Sequence, residues 1–246
     1  MKLRDREIRI LDFLRERRET TVSEICRELY VSEPTVRRAL SVLSELGMAI
    51  RTHGGAIYKG EPGENLPLSY REREHSDAKA QIARKCVELI KDGDTIMTDA
   101  SSSALALLRA LPCNLNLTVI TNSAKAALIL GDTSAKTFVA GGELAGESYA
   151  YIGSYTESFI RSFHADLCFF SVRTLTKDGK LTDNAIAENS VRRAMLDSSN
   201  KNILMLDSKK IAPPCLNTLC TLDEVDNVIS ECEISSLFDV DKSKFF

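Results

Sequence analysis

Five short segments hold the side chains best able to do chemistry, and each follows a run of apolar, β-prone residues. They are Asp99 with Ser101, Ser102 and Ser103; Asn122 with Ser123; Gly141 with Gly142; Ser171 with Arg173; and Asp207 with Ser208 and Lys210. In an open α/β sheet, ligands bind beyond the carboxyl ends of the strands, which is where these segments fall. Serine hydroxyls and the free N–H groups of a helix N-terminus cradle phosphate. Lysine and arginine add positive charge, while Asp and Asn suit sugar hydroxyls. The collection fits a small phosphorylated polyol, as a bound ligand or as a substrate. Taken singly each member is weak, because Ser-rich turns are commonly just helix caps.

A second kind of chemistry lies in residues 20–47 (TTVSEICRELYVSEPTVRRALSVLSELG). The pattern predicts two short helices joined by a tight turn. Ser32 is an expected N-cap whose hydroxyl accepts backbone N–H groups, and Pro34 is tolerated in a first turn. Val36, Leu40 and Leu43 share one face, extended by Leu46, and Gly47 stands where the helix should stop. The other face presents Thr35, Arg37, Arg38 and Ser41. A helix with an aliphatic back and Arg, Thr and Ser near its N-terminus suits the major groove of DNA. An amphipathic surface helix with solvated arginines is the plainer alternative.

The flanking elements favour the DNA reading. Val22, Ile25, Cys26 and Leu29 form an apolar stripe behind a Thr20 or Thr21 cap, and Ile8, Leu11 and Leu14 mark a helix from about Asp5 to Arg17. After Gly47, two β-prone runs around Gly54 and Gly55 predict a hairpin. Three helices and a hairpin describe a winged helix, in which Arg51 and His53 touch DNA backbone or minor groove. Thr21, Ser23, Ser32 and Pro34 complete the expected DNA-contacting set.

From residue 76 onward helical and strand patterns alternate, which predicts a mostly parallel open α/β sheet. Strands are expected at 95–98, 117–121, 136–140, 167–172, 202–206 and 227–230. Helices are expected over 77–91, through Leu105, Leu108 and Leu111, and over 124–130, 155–162 and 186–197. The expected domains are a winged helix-turn-helix at 1–58, a linker at 59–75 and an α/β effector-sensing and oligomerisation domain at 76–246. Within the linker, 70–75 (YREREH) reads as a solvated helical bridge.

The 246 residues carry a net charge of −3, divided unevenly. Residues 1–60 hold 12 Lys and Arg against 9 Asp and Glu, and the remainder holds 20 against 26. The basic excess therefore sits on the module expected to meet DNA, which is enough for binding. Seven cysteines at 26, 86, 113, 168, 215, 220 and 232 show no metal-type pairing and read as small core residues of a reducing cytoplasm. The residues call for no metal and no cofactor. No apolar run approaches a membrane span, and the first residues do not look like a signal peptide.

The chain resembles the DeoR family of bacterial transcriptional regulators over nearly its whole length. The resemblance rests on 31–40 (VSEPTVRRAL), 51–56 (RTHGGA), 121–123 (TNS), Gly141-Gly142 and 207–210 (DSKK). It implies a winged helix followed by a sensor related to sugar-phosphate isomerases. It also implies a repressor, working as a dimer or larger homo-oligomer, that a phosphorylated sugar releases. By the same correspondence Lys79 approaches the phosphate, Lys210 faces the sugar or its phosphate, and Glu188 and Arg192 line the site.

Three departures stand out. Ala39 replaces an acid of the recognition helix. The phosphate turn 101–103 is all serine and lacks the usual glycine. Arg173 lies where the isomerases carry a proton-shuttling carboxylate, which argues against an isomerase fused to a DNA-binding module. The expected function is a DNA-binding regulator of a sugar-metabolism operon that is not an enzyme. A regulator whose degenerate pocket serves only oligomerisation is the remaining alternative.

Overall fold

A computed structural model describes residues 3–59 and 68–246, divided between two units, 1–64 and 65–246. In the first unit the apolar stripes of α1 (Asp5–Arg17), α2 (Val22–Leu29) and α3 (Glu33–Glu45) meet in one core. Ile8, Leu11 and Leu14 bury against Val22, Ile25, Val36, Leu40 and Leu43. Thr21 starts α2 with a reciprocal cap: its hydroxyl accepts from the Glu24 N–H at 3.2 Å, and its own N–H donates to the Glu24 carboxylate at 2.8 Å. Strands β2 (Ala49–Arg51) and β3 (Gly55–Tyr58) form the expected hairpin, but its turn falls at 52–54 and Gly55 opens the second strand. An unforeseen strand, β1 (Glu19–Thr21), pairs with β3 and makes the sheet three-stranded. That pairing demands glycine at 55, because a Cβ there would stand 2.0 Å from the Thr20 carbonyl oxygen.

The second unit begins with α4 (Leu68–Arg71) and α5 (Ser76–Val87). Then come β4 (Thr95–Thr98), α6 (Ser102–Ala110), β5 (Thr118–Thr121), α7 (Ala124–Leu130), β6 (Lys136–Val139), β7 (Glu143–Ala145), β8 (Ala150–Ile152) and α8 (Ser154–Arg161). The chain continues through β9 (Ala165–Phe170), β10 (Thr174–Leu175), β11 (Lys180–Asp183), α9 (Ile186–Asp197), β12 (Ser199–Met205), β13 (Asn217–Thr221) and β14 (Asn227–Ile229). The main sheet runs β14-β12-β9-β4-β5-β6, every pair parallel. Alternate strand residues enter two cores. Ile96, Val119, Phe169 and Ile203 face α5, α6 and α7, while Met97, Ile120, Phe170 and Leu204 face α8 and α9. Where both faces are covered the strands are apolar on both, as in the buried stretches 96–97, 119–120, 167–170 and 203–205.

Some expectations need correction. Linker residues 60–67 lie outside the described residues, but 68–75 belong to the second unit and are not a solvated bridge. Leu68 and Tyr70 are buried, and the Leu68 N–H donates to the Glu147 carbonyl at 2.9 Å. Strands β10, β11 and β13 form a small antiparallel sheet that was not foreseen, and β7 with β8 makes an extra hairpin. The C-terminal residues extend the sheet edge: Val228 bridges Phe245, and the Phe246 N–H donates to the Val228 carbonyl at 3.0 Å. Of the cysteines, Cys86, Cys168 and Cys220 are buried, whereas Cys113 and Cys232 are exposed and Cys26 and Cys215 half-buried, so only part of the set is core.

Candidate functional site

On the first unit, α3 carries the expected DNA-facing residues. Ser32 holds the N-cap position, but its hydroxyl pairs with the Thr35 hydroxyl at 2.9 Å instead of capping a backbone N–H. Pro34 occupies the exposed first turn and Thr35 is half-buried. Arg37 is exposed and held by Glu33 one turn earlier, 2.6 Å away. Arg38 is exposed and has no hydrogen-bond or ion-pair partner among the described residues. Ser41 donates to the Arg37 carbonyl at 3.0 Å and accepts from Arg51 Nη1 at 2.9 Å, which ties the first wing strand to the helix. Ser23 is exposed in the first turn of α2, and His53 in the wing turn. Ala39 is buried with Val36 and Leu40, so the position where the family carries an acid is here on the core side. Sequence reasoning passed over Tyr30, a left-handed residue (φ 53°) in the turn before α3 and 93% exposed.

On the second unit, the sheet order places the candidate pocket. Chain order runs from β4 through β5 to β6 on one side, and from β9 through β12 to β14 on the other. The loops leaving β4 and β9 therefore diverge, which opens a crevice at their carboxyl ends. Asp99, 1% exposed, ends β4 there and accepts the N–H groups of Ser101 at 3.2 Å and Ser171 at 3.3 Å.

Arg192, on α9 and 4% exposed, reaches into the same place. Its Nε donates to Asp99 at 2.9 Å, its Nη1 to Asp183 at 3.0 Å and Asn189 at 2.8 Å, and its Nη2 to Glu188 at 3.2 Å. Burial lowers the guanidinium's pKa, yet Asp183, Asp99 and Glu188 together outweigh it and raise the value above the ordinary one. Burial likewise pushes the Asp183 carboxyl up, but Arg192, the Ala185 N–H and Arg173 hold it below the ordinary carboxylate range.

Cations gather beside this network. Lys210 donates to the Ser171 hydroxyl at 2.7 Å. Burial pulls its pKa down, opposed by Asp207 and reinforced by Arg173 and Arg71. Asp207 accepts the Lys209 N–H at 3.1 Å. Lys79 is buried, and its ammonium donates to the carbonyls of Arg71 and Glu74. Its immediate partners are therefore backbone, while Lys210 and Asp207 stand near enough to act on its charge. Burial first, then Lys210, brings its pKa down to about 8.

The helix N-terminus beside Asp99 carries the three serines. Ser101 is used as the cap, accepting from the Ala104 N–H at 3.1 Å. Ser102 is buried, and Ser103, 2% exposed, has a hydroxyl without a partner among the described residues. Asn122, 3% exposed, gives its amide N–H to the Tyr151 carbonyl at 2.9 Å and leaves its oxygen unpartnered. The Thr98 hydroxyl at the end of β4 is also buried and unpartnered. Buried polar atoms without partners are rare in native proteins and mark places where a ligand or water belongs. Gly141 and Gly142 follow edge strand β6. What demands glycine at 142 (φ 149°) is the backbone's own packing, because a Cβ would meet the Thr156 hydroxyl at 2.2 Å and the Ile152 carbonyl at 2.7 Å.

Three residues of this cluster were missed from sequence. Asp183 had a legible signal, an Asp-Asn pair just before the helical run 186–197, where it accepts the N–H groups of Asn184 and Ala185, while Asn189 lies inside that run and had none. Arg71 had none, since it lay within a segment that reads as a linker.

A three-helix winged unit with an arginine-bearing helix, followed by an α/β unit with a cation-lined crevice at its strand ends, defines a DNA-binding regulator with a sensing domain. Residues 6–61 match the model of the DeoR-like helix-turn-helix domain, and residues 74–231 that of the DeoR C terminal sensor domain. The chain is 32% identical over 232 residues to the HTH-type transcriptional regulator GolR of Listeria innocua, covering 94% of this chain and 91% of that protein. It is 28% identical over 232 residues to the glycerol-3-phosphate regulon repressor of Escherichia coli, covering 94% and 92%.

Among solved structures, the Pyrococcus horikoshii translation initiation factor eIF-2B shares the fold at a TM-score of 0.51, with 17% identity over 93% of this chain and 96% of that one. Ribose 5-phosphate isomerase A of Methanocaldococcus jannaschii aligns over 56% of this chain and 55% of that one at a TM-score of 0.43 and 17% identity. The chain belongs to the DeoR family of transcriptional regulators; it binds DNA and is not an enzyme.

Proposed function

We propose that the sensor binds a phosphorylated sugar at the carboxyl ends of β4, β5, β9 and β12, and that its occupancy governs operator binding by the winged helix. The observation that carries this reading is the crevice itself. Arg71 lies within electrostatic reach of Arg173 and the fully engaged Arg192, and Lys210 and Lys79 within reach of Arg71, beside a helix N-terminus whose Ser103 hydroxyl has no partner among the described residues. Cations and free N–H groups suit a phosphate. The unpartnered Asn122 oxygen and Ser103 hydroxyl, together with Asp99, Glu188 and Asp207, suit sugar hydroxyls. The absence of a glycine at 101–103 leaves the hydroxylic character of the turn intact. Arg173, present where an isomerase would place its acid, supports retention of the ligand without turnover.

The chain then acts in the cytoplasm as a repressor of a sugar-metabolism operon, released when the phosphorylated sugar accumulates. It works away from any membrane, as a homo-oligomer (dimer or tetramer) whose paired winged helices match a two-fold operator. Thr21, Ser23, Ser32, Thr35, Arg38 and Ser41 face phosphates and base edges, with Arg37, Arg51 and His53 beside them.

A thermal-shift panel of sugar phosphates and their unphosphorylated parents tests the sensor half. One phosphorylated member is expected to raise the melting temperature, because a ligand present at a hundredfold its Kd stabilises the folded state by about 2.7 kcal/mol. Its parent sugar is expected to do nothing. A flat panel would reject this reading in favour of a pocket that serves only oligomerisation.

A further inference from the structure

We propose that Tyr30 is a DNA-backbone contact of the winged helix: its ring packs on a deoxyribose at the wall of the major groove, and its hydroxyl donates to a phosphate oxygen. The inference rests on the reading that α3 presents its exposed face to the duplex, and adds a residue that lies outside that helix.

Nothing in the fold calls for a tyrosine at this position. Tyr30 ends α2 in the left-handed conformation (φ 53°, ψ 46°), and the cap is made by backbone alone. Its own N–H and that of Val31, at 3.3 Å, both donate to the Cys26 carbonyl. Glycine or asparagine ordinarily closes such a cap, because a Cβ in this conformation crowds the following carbonyl. Among the described residues three other non-glycine residues have positive φ, and each has a side chain tied to its own fold. Arg18 lies over the Tyr58 ring, 5.6 Å from its centroid, Lys125 lies over the Tyr149 ring at 5.3 Å, and His75 is half-buried. The Tyr30 side chain is 93% exposed and makes no hydrogen bond or ring contact among the described residues. An exposed ring alone is ordinary. One that also strains the backbone, with no return from its own fold, has its use outside it.

The place of the residue names the partner. Tyr30 stands two residues before Ser32, the N-cap of α3, at the end of the helix that carries Pro34, Thr35, Arg37 and Arg38. A recognition helix reads bases with its N-terminal residues, so the turn before it passes the sugar-phosphate wall of the groove. Tyrosine suits that wall, where neutral hydroxyls donate to phosphate and fix register without reading sequence. Arg27 and Arg37, on either side of it in the chain, are paired with Glu28 at 3.5 Å and Glu33 at 2.6 Å. The phenol is the uncommitted donor between them.

Fluorescence anisotropy on the full chain tests this with two probes: the strongest duplex that the wild type selects from a random-sequence pool, and an unrelated duplex. Tyr30→Asn keeps the left-handed cap, and is expected to weaken binding to both duplexes by about three- to tenfold. Its urea midpoint should be no lower than that of the wild type, and its sedimentation unchanged. Tyr30→Phe should lose less, because the ring remains. In a series of duplexes each carrying one neutral methylphosphonate, one position should weaken the wild type and leave Tyr30→Phe unaffected, which a residue acting only through the fold would not produce.

Unchanged affinity in Tyr30→Asn, or the same methylphosphonate profile in wild type and Tyr30→Phe, would overturn the proposal. So would a lowered urea midpoint, which would assign the ring to the fold, or altered sedimentation, which would assign it to a second copy. Arg38→Ala measured alongside keeps the two readings apart. If it weakens binding while Tyr30→Asn does not, the face of α3 stands and only the part of Tyr30 falls; if neither has an effect, both fall.

Discussion

Arg192 is bonded to three carboxylates with almost no access to water, and that arrangement fixes its behaviour on substitution. Such a group contributes little net stability when intact, since its desolvation cost offsets its attractions, but removing one partner strands the others. Arg192→Met would leave Asp99, Asp183 and Glu188 without their common cation. The expected loss is about 3–5 kcal/mol in the unfolding transition of the second unit, read by urea denaturation.

Lys79 sets a second expectation. Its pKa of about 8 belongs to the ligand-free protein. A bound anion favours the ammonium, so binding above that pH takes up a proton and affinity falls as pH rises. On the acid side a phosphate monoester loses its second charge near pH 6. Effector affinity measured by calorimetry should therefore peak between about pH 6 and 8, and an affinity that climbs through pH 9 would exclude Lys79 from the effect.

Helix α3 is written in its residues. Its apolar positions Val36, Leu40 and Leu43 are all buried as their spacing required, and Ala39 joins them. Arg37 and Arg38 are adjacent in sequence yet differently committed, one paired with Glu33 and the other not. Arg38→Ala is expected to weaken operator binding by about 1–3 kcal/mol in a gel-shift titration, if the side chain makes a bidentate base contact. Arg37→Ala should cost less, because its charge is already shared.

The strands of the main sheet were equally legible, since burial on both faces writes a continuous apolar run. Strand β11 was not. Its Leu181, Thr182 and Asp183 are all buried, so the polar residues that define the antiparallel sheet do not alternate with apolar ones. Strand β1, three residues long, and the strap 68–75 were missed for a related reason. Their order comes from partners far along the chain, and the local composition of the strap is that of a solvated segment. Of the candidate site, the strand-end residues could be found by position and Asp183 by its Asp-Asn pair, while Arg71 and Asn189 became visible only in the folded unit.

Across the whole molecule, the division of charge separates two tasks. The first sixty residues carry the positive excess and the remainder the negative one, so contact with DNA backbone is confined to one unit. With Arg37, Arg38 and Arg51 exposed, a pair of winged helices neutralising a phosphate with each would show a log-log salt slope of about −5. A fluorescence-anisotropy titration over a salt series reads this directly, and a slope near zero would contradict the proposed face.

The contacts of the strap have one more consequence, for the order in which the regulator is made. Its partners Arg109, Lys125 and Glu147 are synthesised long after it, and the crevice residues Arg173, Arg192 and Lys210 later still. About 150 residues separate the end of the wing from Lys210, so at ~5–20 residues per second the ribosome needs roughly 8–30 s to supply them. When that interval begins the winged helix has all its own core residues, and Lys79, Arg109, Lys125 and Glu147, which hold residues 68–75, are still to come. A nascent chain thus completes its DNA-binding unit well before it completes the crevice of the second unit.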